Sequence, residues 1–362
     1  MESGSVMKVI DAFATLKFMT KMIHPKPSPW HIADEDFPLH GMPVEKWKFL
    51  LQYAVLAPSS HNSQPWLFHI SDTHLELYAD RYRACPISDP QDRELIMSCG
   101  CALFQLRLAL SHFGYKGEIQ LFPESDERDL LARLALGSRT EESVEETLLF
   151  HAIVKRRTNR QPFISQPIPS PLQCALEEAA KKEHARLEFA PDQETKNRMA
   201  DLISEGDKLQ WSDKAFRKEL ARWVHPNHSK RGDGIPGYAR NVGDLLSYAG
   251  PLVVRTFDMG DGQAATDHDL ASGSPALGVL ITDGDSLLDW LTAGQALARV
   301  LLRARAQEVW ASFLNQPIEV PALRMRVPHA IGHAGFPQAI LRFGFGNEVN
   351  ATPRRAVDDV LI

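Results

Sequence analysis

The sequence predicts an α+β protein built from two tandem copies of one unit in a single chain. Strand-like and helix-like patterns alternate along its whole length. Two long apolar-periodic helices, "CGCALFQLRLAL" from Cys99 and "AGQALARVLLRA" from Ala293, keep Gly, Ala and Leu in step at an offset of 194 residues. A spacing of about half the chain suggests a repeated unit packed around a pair of central helices. Between them the polar segment "SRTEESVEET", with four glutamates, offers little to bury and reads as a boundary.

The chain has 362 residues, 44% hydrophobic and 24% charged, a composition able to bury a sizeable core. Its net charge of -6 argues against a nucleic-acid or anionic-membrane partner. No run approaches the roughly eighteen uncharged apolar residues of a membrane-spanning helix. Residues 1–42 read as a short helix and a proline-rich arm, with Lys8, Asp11 and Lys17 interrupting any signal-peptide core. Cys85, Cys99, Cys101 and Cys174 lack paired metal-site spacing, so a reduced, cytoplasmic protein without a structural metal is expected. Cys99 and Cys101 read as small buried residues of a packed helix.

Taken in order, "VEKWKFLLQYAVL" (44–56) has helical periodicity, and "WLFHI" and "HLELYAD" flank the turn former "SDT" as a β-hairpin. A long apolar helix from Arg93 to Tyr115 and the strand candidates "GEIQLF" and "LLARLALG" complete a first half over 43–140. The second half, 147–362, starts with "LLFHAIVKRRTNRQPF" and continues with a helix at "PLQCALEEAAKKEH" and a strand at "RLEFA". One long amphipathic helical stretch follows from Asp192 to Val224. The glycine-rich segment 225–243 is too long for a simple connection and reads as either a lid or a surface excursion. A buried strand "PALGVLIT", a second long helix "DSLLDWLTAGQALARVLLRARAQEV" and a final strand "QAILRFGFG" end the pattern.

Two segments could carry chemistry. "APSSHNSQPW", Ala57 to Trp66, has the composition of a helix-to-strand loop, yet it crowds hydroxyl, amide and imidazole groups together. "KRRTNR", Lys155 to Arg160, suits a phosphate, because guanidinium forks bond its oxygens in pairs, although a basic helix end is also favourable. There is no Gly-x-Gly-x-x-Gly fingerprint, no phosphate-binding Gly-Lys-Ser/Thr loop and no Gly-x-Ser-x-Gly elbow. His329 and His333 are four apart but flanked by Pro328 and Gly332, and Asp267, His268 and Asp269 read as a polar loop triplet; neither makes a convincing metal site.

These segments resemble a known family. "RRTNRQPF" looks like the arginine-rich opening segment of nitroreductase-type flavoproteins, and "APSSHNSQPW" like their Pro-Ser-Ser-x-Asn-x-Gln-Pro-Trp segment. "NQPIE", "GFPQAILRFGFG" and "TPRRAVDDVL" add to the match, and "DGIPGYA", "GDLLSYAGPLVVRTFD" and "DWLTAGQALARVLL" are similar to the Acg-like subgroup, so the resemblance covers nearly all the chain beyond Pro43. The implied fold is a three-layer α/β/α sandwich in two tandem nitroreductase-like halves. Ordinary nitroreductases form FMN sites between two subunits; here the two motif segments occur once each, in reversed order. That implies a monomer mimicking a dimer, with one flavin site.

Carried over by position, the resemblance implies that Arg156, Arg157, Thr158, Asn159 and Arg160 hold the FMN phosphate and pyrimidine side, with Arg354 and Arg355 adding charge. Pro58, Ser59, Ser60 and Asn62 would line the ring and ribityl chain, while Gln64, Pro65 and Trp66 fix the loop. Pro317, Ile318 and Glu319 match the segment whose backbone donates to flavin N5, with Val320 where the family commonly has glycine. The implied activity is FMN-dependent transfer of electrons from NAD(P)H to a small nitro, quinone or related acceptor. The alternative is an FMN-sequestering protein with a lidded pocket and little turnover. The flavin supplies the chemistry, so no catalytic dyad is required, and His61 is a substrate contact or a loop hydrogen bond.

Overall fold

The computed structural model describes residues 29–240 and 242–362. The expected N-terminal helix lies outside the described residues. The first half contains α1 (Pro43–Ala54), the hairpin β1 (Trp66–Ile70) and β2 (His74–Ala79), α2 (Arg93–His112), β3 (Tyr115–Leu121) and β4 (Leu130–Arg139). The second contains α3 (Val144–Ile153), α4 (Ser170–Lys181), β5 (Arg186–Phe189), α5 (Gln193–Ser212) and α6 (Lys214–Trp223). It continues with α7 (Gly250–Thr256), α8 (Gly260–Ser272), β6 (Ala276–Thr282), α9 (Leu287–Ala306), β7 (Trp310–Phe313) and β8 (Phe336–Gly344).

Each half builds one antiparallel four-stranded sheet, in the order β1-β2-β4-β3 and β5-β6-β8-β7. These are the same topology, with β5, β6, α9, β7 and β8 standing in the places of β1, β2, α2, β3 and β4. The bounds of α2 and α9 differ by the expected 194 residues at both ends. What distinguishes the halves is an insertion between β5 and β6, which carries α5 to α8.

The paired helices α2 and α9 form the centre of the molecule. Seventeen of the twenty residues of α2 are buried, so a helix long and apolar enough to cross a membrane is here the middle of the core. The second sheet is covered on both faces, and every residue of β6 is buried. Leu280 and Leu341 face the central core, while Leu277, Val279, Ile281 and Ile340 pack against Met199 and Ile203 of α5 and Ala271 of α8. That alternation makes the α/β/α layering.

Two boundaries differ from the periodicity. The stretch 192–224 is two helices, because Asp213 adopts an extended conformation and its carboxylate accepts from the Ala215 N–H, capping α6. α2 stops at His112, since Gly114 at φ 80° turns the chain and Tyr115 enters β3. The segment "SRTEESVEET" is a short connection; β4 runs to Arg139 and Ser143 with Glu146 forms the capping box of α3. Asp267, His268 and Asp269 lie within α8 and are not a loop triplet.

Candidate functional site

The loop from Ala57 to Trp66 leaves the end of α1 in an unusual backbone conformation. His61, Asn62 and Gln64 have φ of 52°, 55° and 54°, a region that costs an ordinary residue about 1–2 kcal/mol. Side chains on and around the loop hold it there. The Gln64 N–H donates to Ser59 Oγ at 2.9 Å, and Gln64 Nε2 donates to the Gly232 carbonyl at 2.8 Å. The Arg355 N–H donates to Gln64 Oε1 at 2.8 Å, and Arg355 Nη1 donates to the Gln64 carbonyl at 3.0 Å. Asn62 Nδ2 donates to the carbonyls of Gly234 at 2.9 Å and Pro353 at 3.0 Å. The loop is thus over-determined by contacts 168 to 291 residues away in sequence.

Arginines converge behind it. Arg156 follows the C-terminus of α3 and is buried; its Nη2 donates to the Leu56 carbonyl at 3.2 Å. Arg354 Nη2 reaches the same carbonyl at 3.2 Å, while its Nη1 donates to Asn62 Oδ1 at 2.8 Å and Thr352 Oγ1 at 2.7 Å. Arg157 and Arg354 stack against Trp30, with guanidinium carbons 3.6 and 4.7 Å from the ring centre. Arg342, from the middle of β8, lies over Phe163 at 4.2 Å and donates to the Asn159 carbonyl at 3.2 Å.

No carboxylate among the described residues forms an ion pair with Arg156, Arg157, Arg342 or Arg354. Burial pushes the Arg156, Arg157 and Arg342 guanidiniums down to about 10, and burial together with Arg156 and Arg157 pushes Arg354 well below its ordinary value. At about 10 the first three still carry their charge at neutral pH. Arg156 Nε, Arg354 Nε and both Nε and Nη1 of Arg342 are buried without a hydrogen-bond partner among the described residues. Glu348 and Asp267 favour the charged forms of Arg157 and Arg342 only from beyond ion-pair distance, and because burying an unpaired charge costs several kcal/mol the group is chemically suited to receive an anion.

The loop and the arginines line one cavity of about 460 Å³, within the ordinary range for a cofactor-sized ligand. Its wall also carries acidic and amide side chains. Glu94 at the start of α2 accepts from Ser60 Oγ at 2.5 Å, Arg93 Nη2 at 3.0 Å and Asn315 Nδ2 at 3.1 Å. Glu319 accepts from Gln210 Nε2 at 2.6 Å. Gln316 Nε2 donates to Asp267 at 2.7 Å and Asp207 at 3.2 Å. Trp211, Phe216, Leu220 and Ile235, all from the insertion, add apolar wall.

Of the residues singled out in the sequence, Pro58, Ser59, Ser60, His61, Asn62, Arg156, Arg157, Thr158, Arg160, Glu319 and Arg354 line this cavity. Asn159 sits behind the wall, its N–H donating to the Ala311 carbonyl at 3.1 Å and its Nδ2 to the Asn347 carbonyl at 3.1 Å. Gln64 and Arg355 lie outside the wall, bonded to each other. Arg355 Nη1 also approaches Asp80 at 3.6 Å, so its charge is already matched. Pro317 and Ile318 are outside too. The N–H groups of Ile318, Glu319 and Val320 donate to Asn315 and Gln316 carbonyls within a helical turn, at 2.8 to 3.1 Å, which leaves none of them to offer a ligand.

Glu94 and Arg342 are cavity residues that the motifs did not single out. A charged residue in the fully buried strand "QAILRFGFG" was the available signal for Arg342; an acid in the first turn of a helix is too common to mark Glu94. No group of three or more His, Cys, Asp or Glu among the described residues is placed to hold a metal.

The comparisons agree with the sequence motifs. No family model matches the chain. The Mycobacterium tuberculosis protein named "Putative NAD(P)H nitroreductase Rv3131" is 29% identical over 329 residues, 89% of this chain and 92% of its own length. "Uncharacterized protein Rv3127" of the same organism is 31% identical over 86% of this chain and 92% of its own length. Its "Putative NAD(P)H nitroreductase acg" is 27% identical over 86% and 94%. A solved FMN-dependent nitroreductase from Mycobacterium smegmatis in complex with NADPH aligns over 59% of this chain and 96% of its own, at 14% identity and a TM-score of 0.39. The chain belongs to the nitroreductase-type flavoprotein family. Within that family it is a member of the Acg-like subgroup.

Proposed function

We propose that this chain is an FMN-dependent oxidoreductase that passes electrons from NAD(P)H to a small nitro, quinone or related organic acceptor, using one flavin site per chain. The supporting observation is the buried arginine group with orphaned nitrogens and, among the described residues, no carboxylate within ion-pair distance. A phosphate carrying about -1.5 to -2 charge at neutral pH is the ligand group that such a site fits. FMN would be held with its phosphate toward Arg156, Arg157 and Arg354, its sugar chain and ring along Ser59, Ser60 and Asn62, and its pyrimidine side toward Arg160 and Arg342. When bound, the flavin accepts a hydride equivalent from the nicotinamide and makes it available to the acceptor.

This chain's own residues do the rest. The Asn62–Arg354 bond ties a loop of the first half to the C-terminal segment of the second, so the wall of the site is fixed before a ligand arrives. Trp211, Phe216, Leu220 and Ile235 exclude water from one side and offer a surface for a flat acceptor. Because the two halves contribute opposite walls, a monomer suffices as the working unit, in the role that a subunit pair has in ordinary nitroreductases. Its composition suits the cytoplasm.

One observation favours a second reading, sequestration of FMN with little turnover. The lid candidate 225–243 is packed down: Asp233 to Gly237 are buried, Gly232 and Gly234 accept from Gln64 and Asn62, and Arg83 pairs with Asp233. A closed segment of this kind could retain the flavin and exclude acceptors. Adding NADH or NADPH with a quinone or nitroaromatic to FMN-loaded protein separates the two. Sustained consumption of the nicotinamide supports the oxidoreductase; bound flavin without consumption supports sequestration.

A further inference from the structure

Two carboxylic acids line the same side of the cavity in unlike surroundings. Glu94 accepts hydrogen bonds from Ser60, Arg93 and Asn315, a cation among them. Glu319 accepts a single bond, from the uncharged amide of Gln210. The two are linked through Asn315. Its Nδ2 donates to Glu94 at 3.1 Å, and its carbonyl accepts from the Glu319 N–H at 3.0 Å, one helical turn on. No cationic side chain among the described residues bonds Glu319, and it contributes to the cavity wall.

We propose that Glu319 is a catalytic residue, whose carboxyl group supplies the proton to the acceptor as the acceptor is reduced in this cavity. The inference rests on the oxidoreductase reading above and deepens it. The charged and titratable groups around Glu319 are Glu94 and Arg93 at the start of α2 and Asp89 and Cys85 in the preceding segment, with Gln210 of α5 as its hydrogen-bond donor. Burial raises the Glu319 carboxyl well above the usual carboxylate range, and the neighbouring Glu94 and Asp89 raise it further against the opposing effect of Gln210 and Arg93. A carboxylic acid raised in this way by an enclosed, weakly solvated setting is a recurring basis for acid catalysis at neutral pH.

The step balances for a quinone. Its reduction needs two electrons and two protons. A hydride equivalent from NAD(P)H, the reductant of the proposed function, would bring both electrons and one proton. The O–H bond of Glu319 breaks and an O–H bond forms on the quinone oxygen, leaving a carboxylate that solvent reprotonates. Glu94, held by its three donors, keeps Ser60 oriented and takes no part in the transfer.

The test uses the full chain. Infrared spectra of protein without added flavin, at pH 7 in H2O and D2O, should show a protonated-carboxyl band that disappears in Glu319→Gln. In FMN-loaded protein reduced with NADPH, stopped-flow oxidation by 1,4-benzoquinone should slow on the order of 100-fold in Glu319→Gln, a typical general-acid contribution. Glu319→Asp, which keeps an acid, should retain the band and recover most of the rate, and it serves if the glutamine variant fails to fold. A wild-type spectrum without the band, or unchanged quinone kinetics in Glu319→Gln, overturns the proposal. Failure of wild-type protein to take up FMN sinks the flavin reading beneath it; uptake with unaltered variant kinetics sinks only the role of Glu319.

Discussion

Gly100 and Gly294 hold corresponding places on α2 and α9, 194 residues apart, and each faces the backbone of the opposite helix. A Cβ on Gly294 would overlap the Met97 carbonyl, and one on Gly100 would overlap the Leu291 carbonyl. Cys101 Sγ donates to the Gly294 carbonyl at 3.0 Å beside this contact. The halves of the molecule therefore meet backbone to backbone at its centre, on a surface that also supports the cavity through Met97, Ser98, Cys101 and Leu297.

Overpacking a core costs about 1–3 kcal/mol, occasionally more, and here backbone would have to move rather than a flexible side chain. Gly294→Ala should cost about 3 kcal/mol by urea unfolding and weaken FMN binding as well, because the cavity wall moves with α2. Stability within about 0.5 kcal/mol of wild type would remove this contact from the account.

Arg157 makes one local hydrogen bond, to its neighbour's carbonyl, and stacks on Trp30, so it can be shortened with little loss of packing. Arg157→Ala should weaken FMN about 30-fold or more, as expected when a charge-assisted phosphate contact worth about 2 kcal/mol or more is removed. Ser60→Ala should weaken it less, since a hydroxyl contact is uncharged. Fluorescence quenching of FMN measures both. Equal, unchanged affinities would contradict the placement of the phosphate.

Asp233 joins the lid candidate to the first half through Arg83, with Arg231 and His225 beside it. Burial alone would raise its carboxyl, but the adjacent His225 ring, a hydrogen bond from Arg231 and the charges of Arg83 and Arg231 hold it well below the usual range. A carboxylate lowered in the folded state stabilises above its unfolded value, about 3.9, and that stabilisation is lost as pH falls toward the lower folded value. Asp233→Asn should therefore melt below wild type at pH 7, with a gap that shrinks as both are acidified below about pH 4. A gap independent of pH would place the stabilisation elsewhere.

Much of this architecture is legible in the sequence because it rests on local periodicity. The central helices and their offset, the β1-β2 hairpin and the buried strand β6 all follow from apolar spacing. What periodicity misses is where a side chain far along the chain completes a local structure. Asp213 breaks a continuous helical pattern by capping, and Arg355 serves the loop rather than the cavity because Gln64 presents two acceptors to it. Arg342 resembles a stray charge in an apolar strand until Asn159 and Phe163 are brought beside it. Helical hydrogen bonds that occupy the N–H groups of Ile318 and Glu319 are equally invisible in the four letters "QPIE".

One flavin site per chain, closed by both halves of the same molecule, sets a fixed stoichiometry. Sedimentation of FMN-saturated protein, followed at the flavin and protein absorbance bands, tests it most directly. One FMN should co-sediment with each 362-residue monomer. Protein that sediments without flavin, two flavins per chain, or flavin carried only by a dimer would contradict it.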